Sequence, residues 1–581
     1  MPLRWFNVAA AFAIALAVLS QGLTAPFEKD AEPQSAQWVV DIVQHDHWLL
    51  PYDYYGFVER KPPLFYWLAA LVVESSGGVV DEARARSVSL VAGAALAAVV
   101  MGWCAAQIGV AQGWLAFVFL LGTYGFASRA VTALTDMLMS FLLFALYCVI
   151  YPALDDAQPS RRRTVLAGVL LGLAMLTKGP VTIVIVALAV AIFALLTRRN
   201  PLALASRQWP WITLALAILI AAIWYVPAFI AGRSSGVADV FVDENLGHFL
   251  PGSLGGTGEA ARPVYYIVLR LIGGSLPLSL LIPAAAAAFA YGGFAAQSRK
   301  PLTFQLALVL AVVALFSVAS SKRDDYILPA TPSLAILLAA LFASVPASTE
   351  GREGCSGVIR AATTALIAAV MLAVTIGSFV FFRRNGSLGA LGIRLQSSDA
   401  SYAAIFADGT TKLALPFLLF ASAVLVGSAM IFVSLWRRRV LMTGAGLAIL
   451  GLAGSILWNG TLRPAEARTR SLGPFAADVR MRVGTAPVYL AFYDPEFAWY
   501  WGSRVPVLPK QVAQQGPTFE PGIYLVARPP ELRRLSARVR SNLEAIADSG
   551  VQGGGGPPRL YLMRPLRPTG VDLNRPPGSV K

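Results

Sequence analysis

Fixed charges stand at the ends of several long apolar runs in this 581-residue sequence. Lys61 closes a polar loop, Asp136 opens an apolar run, and Lys178 ends another. A Lys-Arg-Asp-Asp-Tyr stretch at 322–326 separates two further runs, and Arg262 precedes a Tyr-Tyr pair. Lysine and arginine hold phosphate through charge-assisted hydrogen bonds, and a carboxylate can act as a base. Together these residues suit a phosphate carried on a lipid, although single basic residues at span ends often only reach toward headgroups.

The long polar interruption in the apolar first half is the stretch 27–68. Glu28, Asp30 and Glu32 open it, and a Lys-Pro-Pro turn closes its polar part. Ionisable groups beside a membrane are costly and are functional candidates by default. We therefore interpret the whole loop, residues 25–84, as the cap of an active site at the outer face of a membrane.

The composition predicts a polytopic α-helical membrane protein. The chain is 56% hydrophobic and 14% charged, with a mean hydropathy of +0.63, whereas soluble domains carry roughly 25% charged residues. At about 20 apolar residues per span, the sequence predicts about thirteen transmembrane helices. They are expected near residues 5–24, 85–107, 110–128, 134–153, 164–177, 180–197, 210–231, 268–292, 303–320, 326–345, 360–382, 413–436 and 440–459.

Basic clusters in the short loops predict the orientation. Runs such as Arg161-Arg162-Arg163 and Arg437-Arg438-Arg439 fall on one side of the expected spans, whereas Arg383-Arg384 falls on the other. Cytoplasmic loops carry the excess of lysine and arginine. We therefore expect a multi-pass protein of a bacterial inner membrane, with a cytoplasmic N-terminus and the first loop and C-terminus in the periplasm.

Residues 461–581 differ in kind from the membrane domain expected over 1–460. Apolar runs at 487–493, 523–527 and 560–563 are typical of strands, and 531–548 has the spacing of an amphipathic helix. We expect a small α/β domain that ends in a flexible Gly- and Pro-rich tail. This part holds 17 Lys+Arg against 9 Asp+Glu, which either keeps it soluble or attracts it to anionic membrane lipids.

A metal site and a nucleic-acid partner are not expected. His45-Asp46-His47 offers two imidazoles and a carboxylate, so a divalent metal is possible. No other histidine or cysteine cluster completes such a site, and the three cysteines follow neither a zinc pattern nor a disulfide framework. No cofactor is therefore assigned.

Four motifs give the chain a resemblance to one family. They are KPPLFYWL at 61–68, SRAVTALTDM at 128–137, LTKGP at 176–180 and SKRDDYILPATP at 321–332. In this order they resemble GT-C glycosyltransferases, specifically the bacterial transferases that place 4-amino-4-deoxy-L-arabinose on lipid A and, more distantly, protein O-mannosyltransferases. The resemblance covers residues 1–345 with specific motifs and the remainder loosely.

The resemblance implies a GT-C fold and a donor sugar on a polyprenyl phosphate, such as undecaprenyl phosphate. It implies transfer with inversion to lipid A or to another envelope glycan or protein, by an enzyme expected to be a monomer. The family places an Asp-Glu pair early in the first loop, and here that pair falls on Ala31-Glu32. Either Asp30, one residue early, or Glu32 is then the catalytic carboxylate, or the site is inactive.

The resemblance also assigns individual positions. Lys61, Arg262 and Tyr326 match residues that contact the carrier phosphate, Lys178 matches the Thr-Lys-Gly-Pro lysine, and Asp136 matches a carboxylate that pairs with the Lys-Pro-Pro lysine. The further supporting positions are Arg129, Lys322, Arg323, Glu244 and His248.

Two alternative hypotheses for the function stay open, and neither is a transferase. A flippase or transporter of lipid-linked sugars would often show internal repeats and polar sites at mid-membrane, whereas here no repeat is visible and the charges lie at span ends. A non-catalytic assembly protein is the second, supported only by the missing aspartate.

Overall fold

The structure is a computed structural model. It describes residues 2–27, 31–59, 61–156, 158–232, 262–291, 293–319, 322–343, 354–383, 414–508, 522–535, 537–550 and 559–566.

Helices make up most of the described chain. The first eleven are α1 (Pro2–Leu19), α2 (Ala31–His45), α3 (Leu64–Ser75), α4 (Glu82–Gln107), α5 (Val110–Leu121), α6 (Tyr124–Ala130), α7 (Asp136–Ala153), α8 (Arg161–Lys178), α9 (Val181–Leu196), α10 (Pro201–Ala205) and α11 (Gln208–Gly232). They are followed by α12 (Tyr266–Gly274), α13 (Ile282–Tyr291), α14 (Ala296–Val318), α15 (Thr331–Ala340), α16 (Gly354–Arg383), α17 (Ala414–Trp436), α18 (Val440–Leu457), α19 (Arg463–Arg470), α20 (Gly473–Val483), α21 (Pro495–Trp501), α22 (Pro529–Arg534) and α23 (Ala537–Ser541). Short 3₁₀ helices cover Leu278–Leu281 and Asp324–Ala330, and a π-helical turn covers Trp458–Leu462.

The helical part crosses a membrane several times. Among the described residues, seven helices are long and apolar enough to span, or up to nine if each of two bent pairs is one span. Two other expected spans correspond to shorter apolar helices, α1 and α9. A multi-pass membrane protein is confirmed, and the larger count of spans stays a prediction.

Close packing of α8 against α11 helps to place one end of α8. Gly168 and Gly172 stand one helical turn apart on α8, and a Cβ at either would lie 2.8 Å from a side-chain carbon of Leu216 or Ile220 on α11. Small residues at this spacing let helix backbones approach in a membrane. The last turn of α8, which carries Lys178, is therefore held against its neighbour.

A four-stranded sheet forms the C-terminal part. Its strands are β1 (Val488–Leu490), β2 (Tyr524–Ala527), β3 (Leu543–Asp548) and β4 (Tyr561–Pro565), in the order β1-β2-β4-β3. β1 pairs with β2 in parallel, and β2 and β3 both pair antiparallel with β4. The three expected strands are present as β1, β2 and β4.

The prediction of an amphipathic helix over 531–548 is wrong. The structure has two short helices, α22 and α23, followed by β3, which pairs with β4 from Leu543↔Pro565 to Asp548↔Tyr561. Leu543 and Ala545 alternate with polar Glu544, so the same residues also fit a strand with one open face. Pairing with β4 adds backbone hydrogen bonds between strands, and these stabilise the strand more than the helical spacing of the apolar residues favours a helix.

The first loop is bonded to the C-terminal part. Asp53 is buried and accepts hydrogen bonds from the Tyr493 hydroxyl (2.6 Å) and from Gln34 on α2 (3.1 Å). The Tyr55 hydroxyl donates to the Asp494 carbonyl (3.0 Å), and Gln37 donates to the Pro495 carbonyl (2.8 Å). Helix α2 is thus held by bonds from a distant part of the chain.

Candidate functional site

A cavity of about 150 Å³ lies where α2, α3, α7, α8 and α14 meet the Asp324–Ala330 turn. Charged and aromatic residues share its wall, and all but Trp38 come from the four motifs. They are Lys61, Asp136, Lys178, Arg323, Asp325, Tyr326, Trp38 and Tyr66. Ala31, Gln34 and Ser35 complete the side formed by α2. The sequence prediction that Lys61, Asp136, Lys178 and Tyr326 meet at one site agrees with this arrangement.

Lys178 and Asp136 form an ion pair in the wall of the cavity. Asp136 is buried in the first turn of α7, where the helix dipole favours a carboxylate. The Lys178 ammonium bonds to Asp136 Oδ1 and lies 5.4 Å from the ring centroid of Tyr326. Gly179 ends α8 at φ +84° and ψ −166°, a conformation essentially restricted to glycine. Because the helix ends at this turn, the Lys178 side chain reaches the cavity from the last turn of α8.

Asp136 therefore has Lys178 as its direct partner in place of the expected Lys61. No carboxylate of the described residues lies within ion-pair distance of the Lys61 ammonium, and only the longer-range field of Lys61 reaches Asp136. The reason is positional, because the last turn of α8 brings Lys178 directly onto the first turn of α7.

The turn around Lys61 is fixed by its backbone. The Lys61 amide donates to Glu59 Oε1 at 2.7 Å, and Glu59 is only 3% exposed. Pro62 and Pro63 follow, and α3 begins at Leu64. The two prolines restrict the chain before the helix, so the lysine side chain starts from a defined position at the cavity wall.

Tyr326 and Arg323 enter from the 3₁₀ turn between α14 and α15. Tyr326 is 8% exposed, and its ring lies 4.5 Å from the ring of Phe316 at the end of α14. Arg323 immediately precedes the turn and lines the cavity. Among the described residues, the wall therefore holds three cationic side chains against two carboxylates, and this excess of positive charge suits an anion.

The other predicted cations form a neighbouring cluster. Arg129 pairs with Asp325 at 2.5 Å. The Arg262 guanidinium, 44% exposed, lies 3.4 Å from Asp324 and bonds to Tyr266. Arg262 therefore does not line the cavity, and its role at a carrier phosphate stays a prediction.

Lys322 links this cluster to the cavity. Its ammonium donates to the carbonyls of Arg262 (2.8 Å) and Ala319 (2.5 Å), and burial lowers its pKa. Ala319 lines the cavity. Lys322 thus holds two chain segments together instead of facing the cavity.

Glu32 is committed to a buried ion pair outside the cavity. It is fully buried, and its two oxygens lie 2.9 and 3.2 Å from the Arg86 guanidinium, which is 1% exposed. Oε1 also accepts from the Ala133 amide (2.9 Å), and Arg463 lies 3.9 Å from Oε2. Burial alone would raise the pKa of Glu32, but the charge and hydrogen bonds of Arg86 bring it below its usual value. Glu32 is therefore an ionised anchor that ties α2 to α4.

Three predicted positions lie outside the described residues. They are Asp30, Glu244 and His248. Their roles stay predictions.

Arg86, the buried partner of Glu32, is a residue that the sequence analysis did not identify. An arginine four residues into an apolar span is itself a signal, because buried charges in such segments need a partner. Asp81-Glu82 has the same residue types as the Asp-Glu pair that the family places early in the first loop. Asp81 instead caps helix α4, where its side chain accepts a hydrogen bond from the Arg84 amide at 2.7 Å.

The class of protein follows from the fold. The chain matches the crystal structure of ArnT from Cupriavidus metallidurans over 96% of its own length and 97% of that chain, with a TM-score of 0.66 and 19% identity. The same protein bound to undecaprenyl phosphate matches with a TM-score of 0.66 and 20% identity. The GT-C fold expected from the motifs is confirmed.

Sequence comparisons point to the same group of proteins. A family model described as dolichyl-phosphate-mannose-protein mannosyltransferase matches residues 60–225. The undecaprenyl phosphate-alpha-4-amino-4-deoxy-L-arabinose arabinosyl transferase of Shewanella sediminis is 25% identical over 334 residues, 56% of this chain. Its counterpart in Yersinia pestis (strain Pestoides F) is 27% identical over 329 residues, 53% of this chain. The matched region spans 58% and 54% of these two relatives. The resemblance drawn from the motifs is confirmed.

Proposed function

We propose that this protein is a glycosyltransferase that moves a sugar from a polyprenyl-phosphate carrier to an acceptor at the periplasmic face of a bacterial inner membrane. The observation that carries the proposal is the single cavity shared by Lys61, Asp136, Lys178 and Tyr326. These residues come from four separate motifs and from four different elements of the fold. A cationic pocket with aromatic walls at the ends of membrane helices suits a lipid-linked phosphosugar.

In this proposal the carrier phosphate faces Lys61, with Arg323 and Lys178 nearby. An acceptor oxygen attacks the anomeric carbon from the face opposite the phosphate, and the bond from that carbon to the phosphate oxygen breaks. Negative charge grows on the departing polyprenyl phosphate, so cations fixed beforehand stabilise the transition state more than the ground state. Asp136 keeps the Lys178 ammonium in place.

Asp30 is the better of the two candidates for the carboxylate that positions or deprotonates the acceptor. All the contacts of Glu32 described above go to protein partners, and Glu32 does not line the cavity. Asp30 directly precedes Ala31, which does line it. If the acceptor is a phosphate, a strong base is not required.

The orientation and domain division belong to the same proposal. We infer about thirteen spans, a cytoplasmic N-terminus and a periplasmic domain over 461–581 that ends in a flexible tail. The basic loops support this orientation. The hydrogen bonds from the Tyr493 hydroxyl to Asp53 and from Gln37 to the Pro495 carbonyl support a C-terminal part that lies on the same side as the first loop.

Lipid A or another envelope glycolipid is the acceptor that we favour. The family model named for a protein mannosyltransferase covers 60–225, which holds Lys61, Asp136 and Lys178 on the proposed donor side. That match therefore informs the donor more than the acceptor. The matches to the arabinosyl transferases are longer, at about 330 aligned residues each.

Mass spectrometry of envelope glycolipids from cells with and without this protein tests the proposal. We expect one sugar addition on lipid A or a related glycolipid that depends on the protein and disappears with Lys61→Ala. A sugar added instead to an envelope protein would keep the donor chemistry and overturn the acceptor. Unchanged glycolipids and glycoproteins would overturn the enzyme assignment.

A further inference from the structure

Two exposed histidines converge on one buried carboxylate at the end of α2. His45 Nδ1 lies 3.0 Å from Asp41 Oδ1, and His47 Nδ1 lies 2.8 Å from Asp41 Oδ2. The imidazole and carboxylate ligand atoms all lie within 4.8 Å of one another. The chain has three histidines in all, so two of them share this small cluster.

We propose that Asp41, His45 and His47 form a binding site for one divalent transition-metal ion of the Zn²⁺ class. Imidazole nitrogen and carboxylate oxygen are the ligands this class accepts, and three protein ligands leave one position open to water. A metal–ligand bond is near 2.0–2.2 Å, so one ion can replace the two hydrogen bonds after small rotations of side chains. The site is independent of the proposed sugar transfer.

The backbone brings the ligands together. Asp46 has a left-handed φ of +57°, which turns the chain sharply after α2 and returns His47 toward Asp41. The Asp46 side chain is not part of the cluster. In this proposal the third ligand is therefore Asp41, one helical turn before His45, in place of the Asp46 within the sequence motif.

Asp41 is prepared for this role by burial. Its side chain is 12% exposed, whereas those of His45 and His47 are 59% and 48% exposed. The Tyr52 amide donates to Asp41 Oδ2 at 2.7 Å, which fixes the carboxylate as outer-sphere partners fix metal ligands. Exposed histidine–carboxylate pairs alone stabilise a fold weakly. A metal ion would join the same groups more strongly.

The ion would stiffen the approach to the cavity. The Trp48 and Leu49 carbonyls in the adjoining turn accept hydrogen bonds from Trp67 on α3 and Trp224 on α11. Earlier on α2, Trp38 lines the cavity. We therefore assign the ion a structural effect on the first loop.

Metal titration of the purified full-length protein tests the site. The protein is freed of its affinity tag, treated with a chelator and dialysed, and binding of Zn²⁺ is measured by calorimetry. We expect one equivalent in the wild type, and at least about tenfold weaker binding in His45→Gln and in His47→Gln. Asp46→Asn is the matched control in the same turn and should bind as the wild type does.

Thermal unfolding gives a second readout that needs no sugar transfer. Zn²⁺ should raise the melting temperature of the wild type and of Asp46→Asn, but not that of the double variant His45→Gln/His47→Gln. Absence of binding to the wild type, or equal binding to the double variant, would overturn the site. Asp41→Asn also loses the ligand, but the exposed histidines decide the outcome because their replacement leaves the fold intact.

Discussion

At the residue scale, the cavity depends most on Lys61. Its side chain lines the cavity, and among the described residues no carboxylate forms an ion pair with it. Removing one group that stabilises a developing oxyanion costs about 10²–10³ in turnover. We expect Lys61→Ala to lower sugar transfer by about this factor without changing the melting temperature. The measurement is the initial rate of transfer by purified protein.

Lys300→Ala is the control for that variant. Lys300 forms a half-exposed pair with Asp155, and such surface pairs contribute little. The control should transfer sugar at the wild-type rate. An equal loss in both variants would show that Lys61 has no special role.

Replacing Glu32 should lower the stability of the fold, whereas replacing Asp30 should lower the rate of sugar transfer. Glu32→Gln leaves the buried Arg86 charge without its carboxylate, and breaking a buried pair costs about 3–5 kcal/mol. Thermal unfolding in detergent should show this loss for Glu32→Gln. Asp30→Asn should instead lower the transfer rate by at least about 10². Wild-type transfer by Asp30→Asn would refute its assignment as the catalytic carboxylate.

The sequence predicts which residues meet better than it predicts how they pair. Lys61, Asp136, Lys178 and Tyr326 could be placed together because each borders an apolar run on the same expected side of the membrane. The pairing of Lys178 with Asp136 depends on the direction in which α8 ends, which span counting does not reveal. The anchor between Glu32 and Arg86 joins positions 54 residues apart, and no local pattern specifies such a contact.

At the element scale, the end of α8 is the critical turn. Gly179 adopts a conformation that costs other residues about 1–3 kcal/mol. We expect Gly179→Ala to lower the free energy of unfolding by about this amount and also to reduce transfer, because Lys178 would move. Gly377→Ala in α16 is the control, since a Cβ there meets nothing within 4 Å. Full activity in Gly179→Ala would separate this turn from the chemistry.

The sheet region should show a pH dependence that comes from Glu496. Burial raises the pKa of Glu496 to about 6, and the neighbouring Arg559 only partly offsets that effect. Because the folded pKa is raised, the stabilising contribution is complete below about pH 4.5 and is lost as the pH rises through about 6. We expect the wild type to lose up to about 2 kcal/mol over this range relative to Glu496→Gln.

Chemical denaturation at pH 4.5 and pH 7 measures this difference. Glu544→Gln is the control, because Glu544 forms an exposed pair with Arg564 on the same sheet. Its pH dependence should follow that of the wild type. If Glu496→Gln also follows the wild type, another group causes the dependence.

The same region shows where local patterns fail. β1, β2 and β4 lie in apolar runs that a strand pattern identifies, whereas β3 carries a sequence that also fits a helix. The partner strand β4 decides between them, and its pairing with β3 is not local.

At the scale of the whole molecule, two of the cavities that the described residues form differ in character. The charged cavity contains Lys61 and Lys178, whereas a second cavity of about 370 Å³ between α7, α9 and α11 is lined almost entirely by apolar side chains such as Ile150 and Leu214. A phosphate should select the first cavity, because burying it against apolar side chains alone would be costly.

Photo-crosslinking measures this choice most directly. The probe is a polyprenyl phosphate with a photoreactive group on its first isoprene unit, and labelled peptides are mapped by mass spectrometry. We expect labelling at the walls of the charged cavity, around Trp38, Tyr66 and Met139, that undecaprenyl phosphate competes away and Lys61→Ala weakens. Labelling confined to the apolar cavity, or unaffected by Lys61→Ala, would contradict the assignment of the charged cavity to the carrier phosphate.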